Sequence, residues 1–413
     1  MENGKLRYAK RKVDLRLLPA GLSSFERVNA RRAMIEQELD VDLSSLAVNA
    51  AQLGHSEEKN CENMFGAVPI PVGLAGPLSL TLSNGEETTV HLPLATTEGA
   101  LVASVNRGCK ALRGVQVNTT SKYHGVTRSI AFRLSNQESA RPNGPLAGRA
   151  TSNWIEEHES EWKSIGETTS SHLKILGYEI DEKDDHLFLT IAADTDEAMG
   201  MNMVTIAAQA IGAHIEKSTG VQFITVASNI DSDKKPSVRT HTKGRGYEVF
   251  ATCTLQTATI TEILKTTPEA MLATAKAKLE LGSDIAGAIG RNCHAANVIA
   301  ALYLATGQDA AHVVEGSLTD TIVSEIPNSK SQIPNIQISV RLPALLLGIR
   351  GGGTTLPAQK QCLNILLGKQ EHPLHPCRRF AEIIAGAVLA GEISLLAAQS
   401  SHTLAKAHAK LAR

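Results

Sequence analysis

Thr127-Arg128-Ser129-Ile130-Ala131-Phe132-Arg133-Leu134 opens the stretch of this chain that decides its fold. Apolar and polar residues alternate through it, as in a half-buried strand. A turn-rich passage from Ser135 to Gly148 follows, and then a helical pattern at about Arg149–Ile165. Leu173–Ile180 and Leu187–Ala192 read as two strands joined by the polar turn Asp181–Asp185. A helix over Ala198–Lys217 and a strand over Val221–Val226 complete the series. The order βαββαβ is the split βαβ, ferredoxin-like signature. The expected class is therefore α+β. Residues 127–227 are expected to form a small inserted domain, 51–126 and 228–413 a large one, and 1–50 an N-terminal helical segment.

The bulk composition fits that organisation. A chain of 413 residues exceeds one compact core. Its 42% hydrophobic and 20% charged content is that of an ordinary globular protein. With 3% aromatics and net charge −1, stacking platforms and basic tracts for nucleic acid are not expected. The six cysteines are scattered without a C-x-x-C pair, which disfavours a zinc ribbon or a disulfide scaffold and favours a reducing, cytoplasmic setting. Met1 to Val13 is basic and polar, without the apolar core of a signal peptide. Ile383–Ala398 carries Glu392 and two glycines, and reads as a buried core helix rather than a membrane span.

Just beyond the inserted stretch lies Ser228-Asn229-Ile230-Asp231-Ser232-Asp233-Lys234-Lys235-Pro236. Pro236 biases Lys235 away from helix, so this is a loop of defined shape. A loop lysine held near carboxylates can bind an anion or stabilise an oxyanion, and a solvated charged turn is the competing reading. Upstream, Ser23 and Glu26 have capping-box spacing for a helix to about Leu39. Glu62 to Leu78 holds three prolines and three glycines, too many for a helix; its apolar character predicts a buried extended segment. Thr88–Leu94 reads as a strand. Thr97 reads as the N-cap of a helix with Glu98 in its first turn, either complementing the helix dipole or desolvated as a general acid. Ser104 and Arg107 share a face of that helix, with Asn106 beside them.

Downstream, Tyr247–Leu255 is an expected strand and Pro268–Leu281 an expected helix. Asn292–Ala305 is an expected helix with His294 and Asn297 on one face. Asp309 follows the helix-stopping Gly307 and is placed to cap the next turn. Ile336–Leu347 reads as strand broken at Pro343. Gly351-Gly352-Gly353-Thr354 can bring backbone close to a ligand or serve as a flexible turn. Two apolar helical stretches, about 376–398 and 400–411, end the chain, the second carrying His408.

The blocks ENMFGAVPIPVGLAGPL, TTEGALVASVNRGCKAL, EAMGMNM, SDKKP, HAANVIAALYLATGQD, GIRGGGTTLP and GEISLLAAQ follow one another from residue 62 onward. In content and order they resemble the catalytic portion of hydroxymethylglutaryl-CoA reductases of the eukaryotic and archaeal class, from about residue 60 to the end. The resemblance implies catalytic roles for Glu98, Lys234, Asp309 and His408: proton donor, oxyanion partner, a carboxylate tuning both, and acid for the departing CoA thiolate. It implies that Arg128, Asp233, Lys235 and Lys278 hold the substrate carboxylate or order the loop. Ser104, Asn106, Arg107 and Asn297 match substrate- or network-contacting positions. It implies a dinucleotide at Glu197, Met199, Gly200, Met201 and Asn202, with Gly351, Gly352, Gly353 and Thr354 nearby. NADPH is the implied cofactor, with NADH the alternative. No metal, nucleic acid or membrane segment is implied, and the active sites form between subunits of a homodimer or tetramer.

The chain departs from the family pattern at named places. Glu197 stands for an Asp that opens the cofactor motif. Ser170-Ser171-His172 stands where animal members have an Arg for the 2′-phosphate. Ala227 replaces a substrate-binding Ser, with Ser228 adjacent, and Asp231 replaces a neutral residue. The approach to His294 is one residue short near Asn292. Two further readings stay open: a paralogue tied to a secondary-metabolite pathway, and a catalytically weakened homologue kept as a dimerising scaffold. Retention of a Glu, a Lys, an Asp and a His at the four positions argues against the scaffold.

Overall fold

The computed structural model describes residues 14–134, 148–327, 335–368 and 372–402. The strands in it are β1 (Val72–Thr81), β2 (Glu87–Ala95), β3 (Val117–Arg133), β4 (Lys174–Lys183), β5 (His186–Asp194), β6 (Gln222–Thr225), β7 (Gly246–Leu255), β8 (Asp320–Ile326) and β9 (Asn335–Leu345). They form a mixed sheet in the order β2-β1-β3-β7-β9-β8, with β4, β5 and β6 joined to it through β3. Among the named strands of the described residues, only the β1–β3 pairing, Thr81 to Asn118, is parallel.

The long strand β3 serves both parts of the molecule. Its first half, Val117–Gly125, pairs with β7, and its second half, Val126–Arg133, pairs with β5. The switch falls at a register shift between Tyr123 and Gly125, and Gly125 has φ +81° there. A bulge of this kind bends a strand and increases its twist. The boundary expected at 126/127 thus lies inside one unbroken strand. Beyond it the strands run β4-β5-β3-β6, all antiparallel. The helix Met201–Thr219 packs on β3, and the helix Glu159–Glu167 packs on that helix. Their core includes Ile130, Phe132, Trp162, Leu189, Ile191, Val204, Ile211 and Ile215.

The larger core lies under β1, β2, β7 and β9 and is filled by the helix Pro376–Ser400. That helix is long and apolar enough to cross a membrane by composition, but 94% of its apolar window is buried in the protein. Two buried carboxylates on it are fully engaged. Glu382 accepts from Thr119 Oγ1 at 2.7 Å and from the Ser83 N–H at 2.9 Å. Glu392 accepts from the N–H groups of Cys293 and His294 at 2.6 and 2.8 Å, and from Thr321 Oγ1 at 2.7 Å. Such satisfaction is what lets a charge sit in a core.

Several expectations are corrected. The segment from Glu62 to Leu78 is not buried throughout: Met64 is buried, but Val68, Ile70, Val72 and Leu74 are exposed on this single chain, and burial resumes at Ala75. Residues 65–71 lack ladder partners that would turn them inward. The Glu98 helix starts later, at Leu101, after Ala100 at φ +73°. Thr96 Oγ1 instead accepts the Glu98 N–H at 2.9 Å, a local bond that competes with helix. Glu98 is therefore exposed in a loop, neither in a first helical turn nor desolvated. His294 precedes the helix Ala295–Thr306 as its N-cap residue. Strand β9 continues through Pro343, where the β7–β9 register shifts and the Pro343 carbonyl accepts the Arg245 N–H at 3.2 Å. The expected single helix at Arg149–Ile165 is two, Gly148–Glu157 and Glu159–Glu167. The expected helix from Pro268 passes after Ala275 into a π-helical turn, Lys276–Gly282, which holds Lys278.

Candidate active site

The loop after β6 is shaped by backbone that most residues avoid. Asn229, Ser232 and Lys234 have φ +66°, +53° and +58°. Non-glycine residues adopt this left-handed region only when their surroundings hold them there. The Ser228 N–H bonds the Ser129 carbonyl at 3.0 Å, and the Lys235 N–H bonds the Ser232 carbonyl at 3.1 Å. The result directs the Lys234 ammonium to Asp309 Oδ2 at 2.7 Å, with both side chains partly open to solvent. Asp309 also caps the short turn Ala310–His312, accepting the Ala311 N–H at 3.0 Å. Burial pushes the Asp309 carboxyl up, but the Lys234 and Ala311 hydrogen bonds and the nearby His312 outweigh it and hold it below the usual carboxylate range.

Beneath this pair lies a layer of buried charge. Arg128 on β3 donates to Asp233 Oδ2 at 3.1 Å, Asp231 Oδ2 at 3.2 Å and Thr205 Oγ1 at 3.0 Å. Arg245, only 1% exposed, donates to Asp233 Oδ1 at 3.3 Å, Glu315 Oε1 at 2.8 Å and Thr127 Oγ1 at 2.9 Å. Glu315 and His312 are fully buried, with Glu315 Oε1 also 3.2 Å from His312 Nδ1. Asp233, His312 and Glu315 lie close enough for their ligand atoms to surround a cation. Arg245 already supplies the positive charge at two of the three. Asp233 is pushed up by burial, but Arg245, Arg128 and His312 hold it low. Asp231 is pushed up by burial, which Arg245 and Arg128 only partly offset.

The second group of expected residues lies on the other side of the Asp309 turn. The Glu197 carbonyl accepts from the N–H groups of Ile349 and Arg350 at 2.8 and 3.2 Å, and its carboxylate pairs with Arg350. That brings Glu197, Met199, Gly200, Met201 and Asn202 beside the Gly351–Thr354 turn. Gly353 in turn packs its backbone against Gly307, where a side chain on either residue would collide with the other. Gln308 clamps Gly348 by two bonds of 2.9 Å. A cleft of about 840 Å³ opens here, lined by Glu197, Arg350, Gly351, Thr354, Thr355 and Lys360 among others. Exposed backbone at glycine together with Arg350 and Lys360 is a donor set suited to a dinucleotide pyrophosphate.

The sequence profile of the hydroxymethylglutaryl-coenzyme A reductase family matches residues 27–413. The chain belongs to that family. It is 39% identical to the 3-hydroxy-3-methylglutaryl-coenzyme A reductase of Pyrococcus horikoshii, over 93% of this chain and 91% of the relative. It is 37% identical to that of Methanothermobacter thermautotrophicus, covering 94% of both. The Drosophila melanogaster protein is 39% identical over 84% of this chain, which spans 37% of that longer protein. Among solved structures, a class II reductase from Streptococcus pneumoniae bound to NADPH in open conformations superposes with TM-score 0.62 at 18% identity, covering 90% of this chain and 96% of that one. The likeness shows that the α+β fold is shared.

Within this reductase-family chain, Lys234, Asp309, Asp233 and Arg128 meet. Lys235 donates to the Asp233 carbonyl at 2.9 Å. In the single chain Glu98 shares no hydrogen bond or ion pair with Lys234 or Asp309, and its N–H is held instead by Thr96 Oγ1. His408 lies outside the described residues. Ser104 bonds Ser394 at 3.0 Å, Arg107 bonds Ser394 through Nε at 3.0 Å, and Asn106 accepts the Gly76 N–H at 3.2 Å. These three tie their helix to the core helix and β1. Asn297 is half-buried near the start of its helix, and Lys278 is half-buried on the π-turn. Asp231 does not crowd Lys234 but turns inward onto Arg128. Arg245, Glu315 and His312 went unmarked in the sequence. An arginine framed by Gly244 and Gly246, and a His and Glu spaced i, i+3 in an apolar run, were the available signals.

Proposed function

We propose that this chain catalyses the NADPH-dependent, four-electron reduction of (S)-3-hydroxy-3-methylglutaryl-CoA to (R)-mevalonate and CoA, using two equivalents of cofactor and two protons. The observation that carries this reading is the Lys234–Asp309 pair, 2.7 Å apart and open to solvent, in a chain of the reductase family. The Lys234 ammonium faces the thioester oxygen as it gains negative charge, where a preorganised cation is worth most. Asp309 orients that ammonium. Glu98 donates a proton to the reduced carbonyl, and His408 protonates the CoA thiolate. Arg128, Asp233, Lys235 and Lys278 hold the substrate's free carboxylate or the loop that meets it. Ser104, Asn106, Arg107 and Asn297 support that binding face. The bound nicotinamide supplies hydride. Glu197, Met199–Asn202 and Gly351–Thr354 hold its dinucleotide, and Ser170–His172 flanks the same end.

Residues 127–227 act in this reading as a ferredoxin-like dinucleotide-binding insert, supported by the strand order β4-β5-β3-β6. The protein works as a homodimer or tetramer in the cytoplasm. The exposed apolar run Val68, Ile70, Val72 and Leu74 supports a second copy, and the Thr96 N–H bonds the Pro71 carbonyl at 3.0 Å, tying the Glu98 loop to that face.

The test is NADPH oxidation, followed by absorbance, in the presence of hydroxymethylglutaryl-CoA, with NADH in a parallel arm. Turnover is expected, and Lys234→Ala should lower kcat by at least about 10²-fold with an unchanged melting temperature. A folded wild-type chain that oxidises neither cofactor would sink the activity. A Lys234→Ala variant within tenfold of wild type would sink the role of the lysine.

A further inference from the structure

We infer that Glu315 and His312 are positioning residues, a buried pair that fixes where Lys234 and Asp309 stand. The inference rests on the activity proposed above for its kinetic readout, but not for its structural one. Glu315 Oε1 takes three donors: the Lys234 backbone N–H at 2.7 Å, Arg245 Nη1 at 2.8 Å and His312 Nδ1 at 3.2 Å. Its other oxygen has no hydrogen-bond partner among the described residues. A carboxylate serving only as the counter-ion of Arg245 has no need of the bond to the Lys234 backbone. That bond reaches the residue at φ +58°, a conformation its own loop does not favour. Removing the acceptor leaves a partly buried N–H unsatisfied and lets Lys234 relax toward ordinary backbone angles, which re-aims its ammonium.

His312 completes the link. Its ring is fully buried between the two acids, with Nδ1 on Glu315 and Nε2 3.9 Å from Asp309 Oδ2. Nε2 has no hydrogen-bond partner among the described residues. The groups around Glu315 come from every packed element: Asp233 and Lys234 from the loop, Arg245 from the approach to β7, Asp309 and His312 from the capped turn, and Tyr303 from the helix Ala295–Thr306. One carboxylate therefore addresses the backbone of the lysine and, through the imidazole, the side chain of its aspartate. A displacement of about an ångström at such a centre costs on the order of 100-fold in rate.

The experiment compares Glu315→Ala, Glu315→Gln and wild type. Glu315→Ala is expected to lower kcat about 100-fold per folded molecule while KM for both substrates stays within about threefold. Glu315→Gln keeps an acceptor for the Lys234 N–H and should recover at least about tenfold over Ala. The acid limb of the kcat profile should move to higher pH in both variants, because loss of the charged acceptor loosens Lys234 from its 2.7 Å contact with Asp309, the contact that does most to hold that carboxyl low. A purely structural residue would change melting temperature but neither the split nor the profile. If Glu315→Ala does not fold, Glu315→Gln decides: kcat within threefold of wild type on an unmoved profile overturns the inference. Independently of turnover, acetylation of Lys234 by limiting acetic anhydride, read by mass spectrometry against the other lysines, should be severalfold faster in the variants. Unchanged labelling in a folded variant overturns the inference even if wild type proves inactive, whereas an inactive wild type with altered labelling counts against the activity alone.

Discussion

Asp231 places its charge on a partner distant in sequence rather than on the lysine nearest it. Its charge stands three residues from Lys234 in sequence, yet its side chain is 1% exposed and lies 3.2 Å from Arg128. It shares that guanidinium with Asp233 at 3.1 Å. Burial raises its carboxyl above the reference value of 3.8, and the two arginines do not fully restore it. The native state therefore binds this proton more tightly than the unfolded chain does. The sign follows: Asp231 costs progressively more stability as pH rises above about 4 through its native pKa. Asp231→Asn should accordingly raise the melting temperature near neutral pH, and the gain should fade as pH approaches 4. The same change removes a competitor for Arg128, so KM for hydroxymethylglutaryl-CoA should fall, on the order of fivefold. A pH series of melting curves and a substrate titration measure both. A variant less stable at pH 7 and no tighter for substrate would show that Asp231 serves Arg128 rather than competing for it.

At the scale of elements, the crossing of the helices Leu101–Ala111 and Pro376–Ser400 sets the position of everything the first helix carries. Gly108 faces the backbone of Ala390, and a Cβ there would overlap its carbonyl oxygen. Backbone cannot yield as a flexible side chain does. Gly108→Ala should therefore cost about 3 kcal/mol or more and push Ser104 and Arg107 off Ser394. A urea titration giving less than about 1 kcal/mol would mean that the helices can separate freely. Elements built by local chemistry were legible in the sequence. The Ser23–Glu26 capping box, the Thr267–Pro268 helix start and the strand–turn–strand at 174–194 lie within a few residues of expectation. The failures have non-local or competing causes. Thr96 diverts the chain ahead of the Leu101 helix, and Pro343 survives within β9 because a register shift leaves room for a missing N–H. Arg245 and Glu315 are separated by 70 residues, and no periodicity announces that they share a proton-bearing contact. Lys234 and Asp309 were recoverable only because their flanking blocks resemble a family.

The whole molecule turns on β3, which belongs to both parts of the sheet at once. Two cores flank it, and the chain's two tryptophans lie in the smaller one: Trp162 is fully buried edge-on to Tyr178, and Trp154 is stacked on His158. If the smaller unit opened alone, the ladder from Val126 to Arg133 would be lost while Val117–Gly125 stayed paired. The charge layer would also be torn, because Arg128 and Thr127 sit on the departing half while Asp233, Arg245 and Glu315 lie outside it. Breaking one side of a buried ion pair costs about 3–5 kcal/mol, a large part of the roughly 5–15 kcal/mol that holds a domain together. Independent opening is thus hardly cheaper than global unfolding. Tryptophan fluorescence, which reports the smaller unit, and far-ultraviolet circular dichroism, which reports all helices, should give coincident urea transitions. Two separated midpoints, with fluorescence lost first, would show that the shared strand and the charge layer do not couple the halves. In that case the site between them would be closed by substrate rather than preformed by the fold.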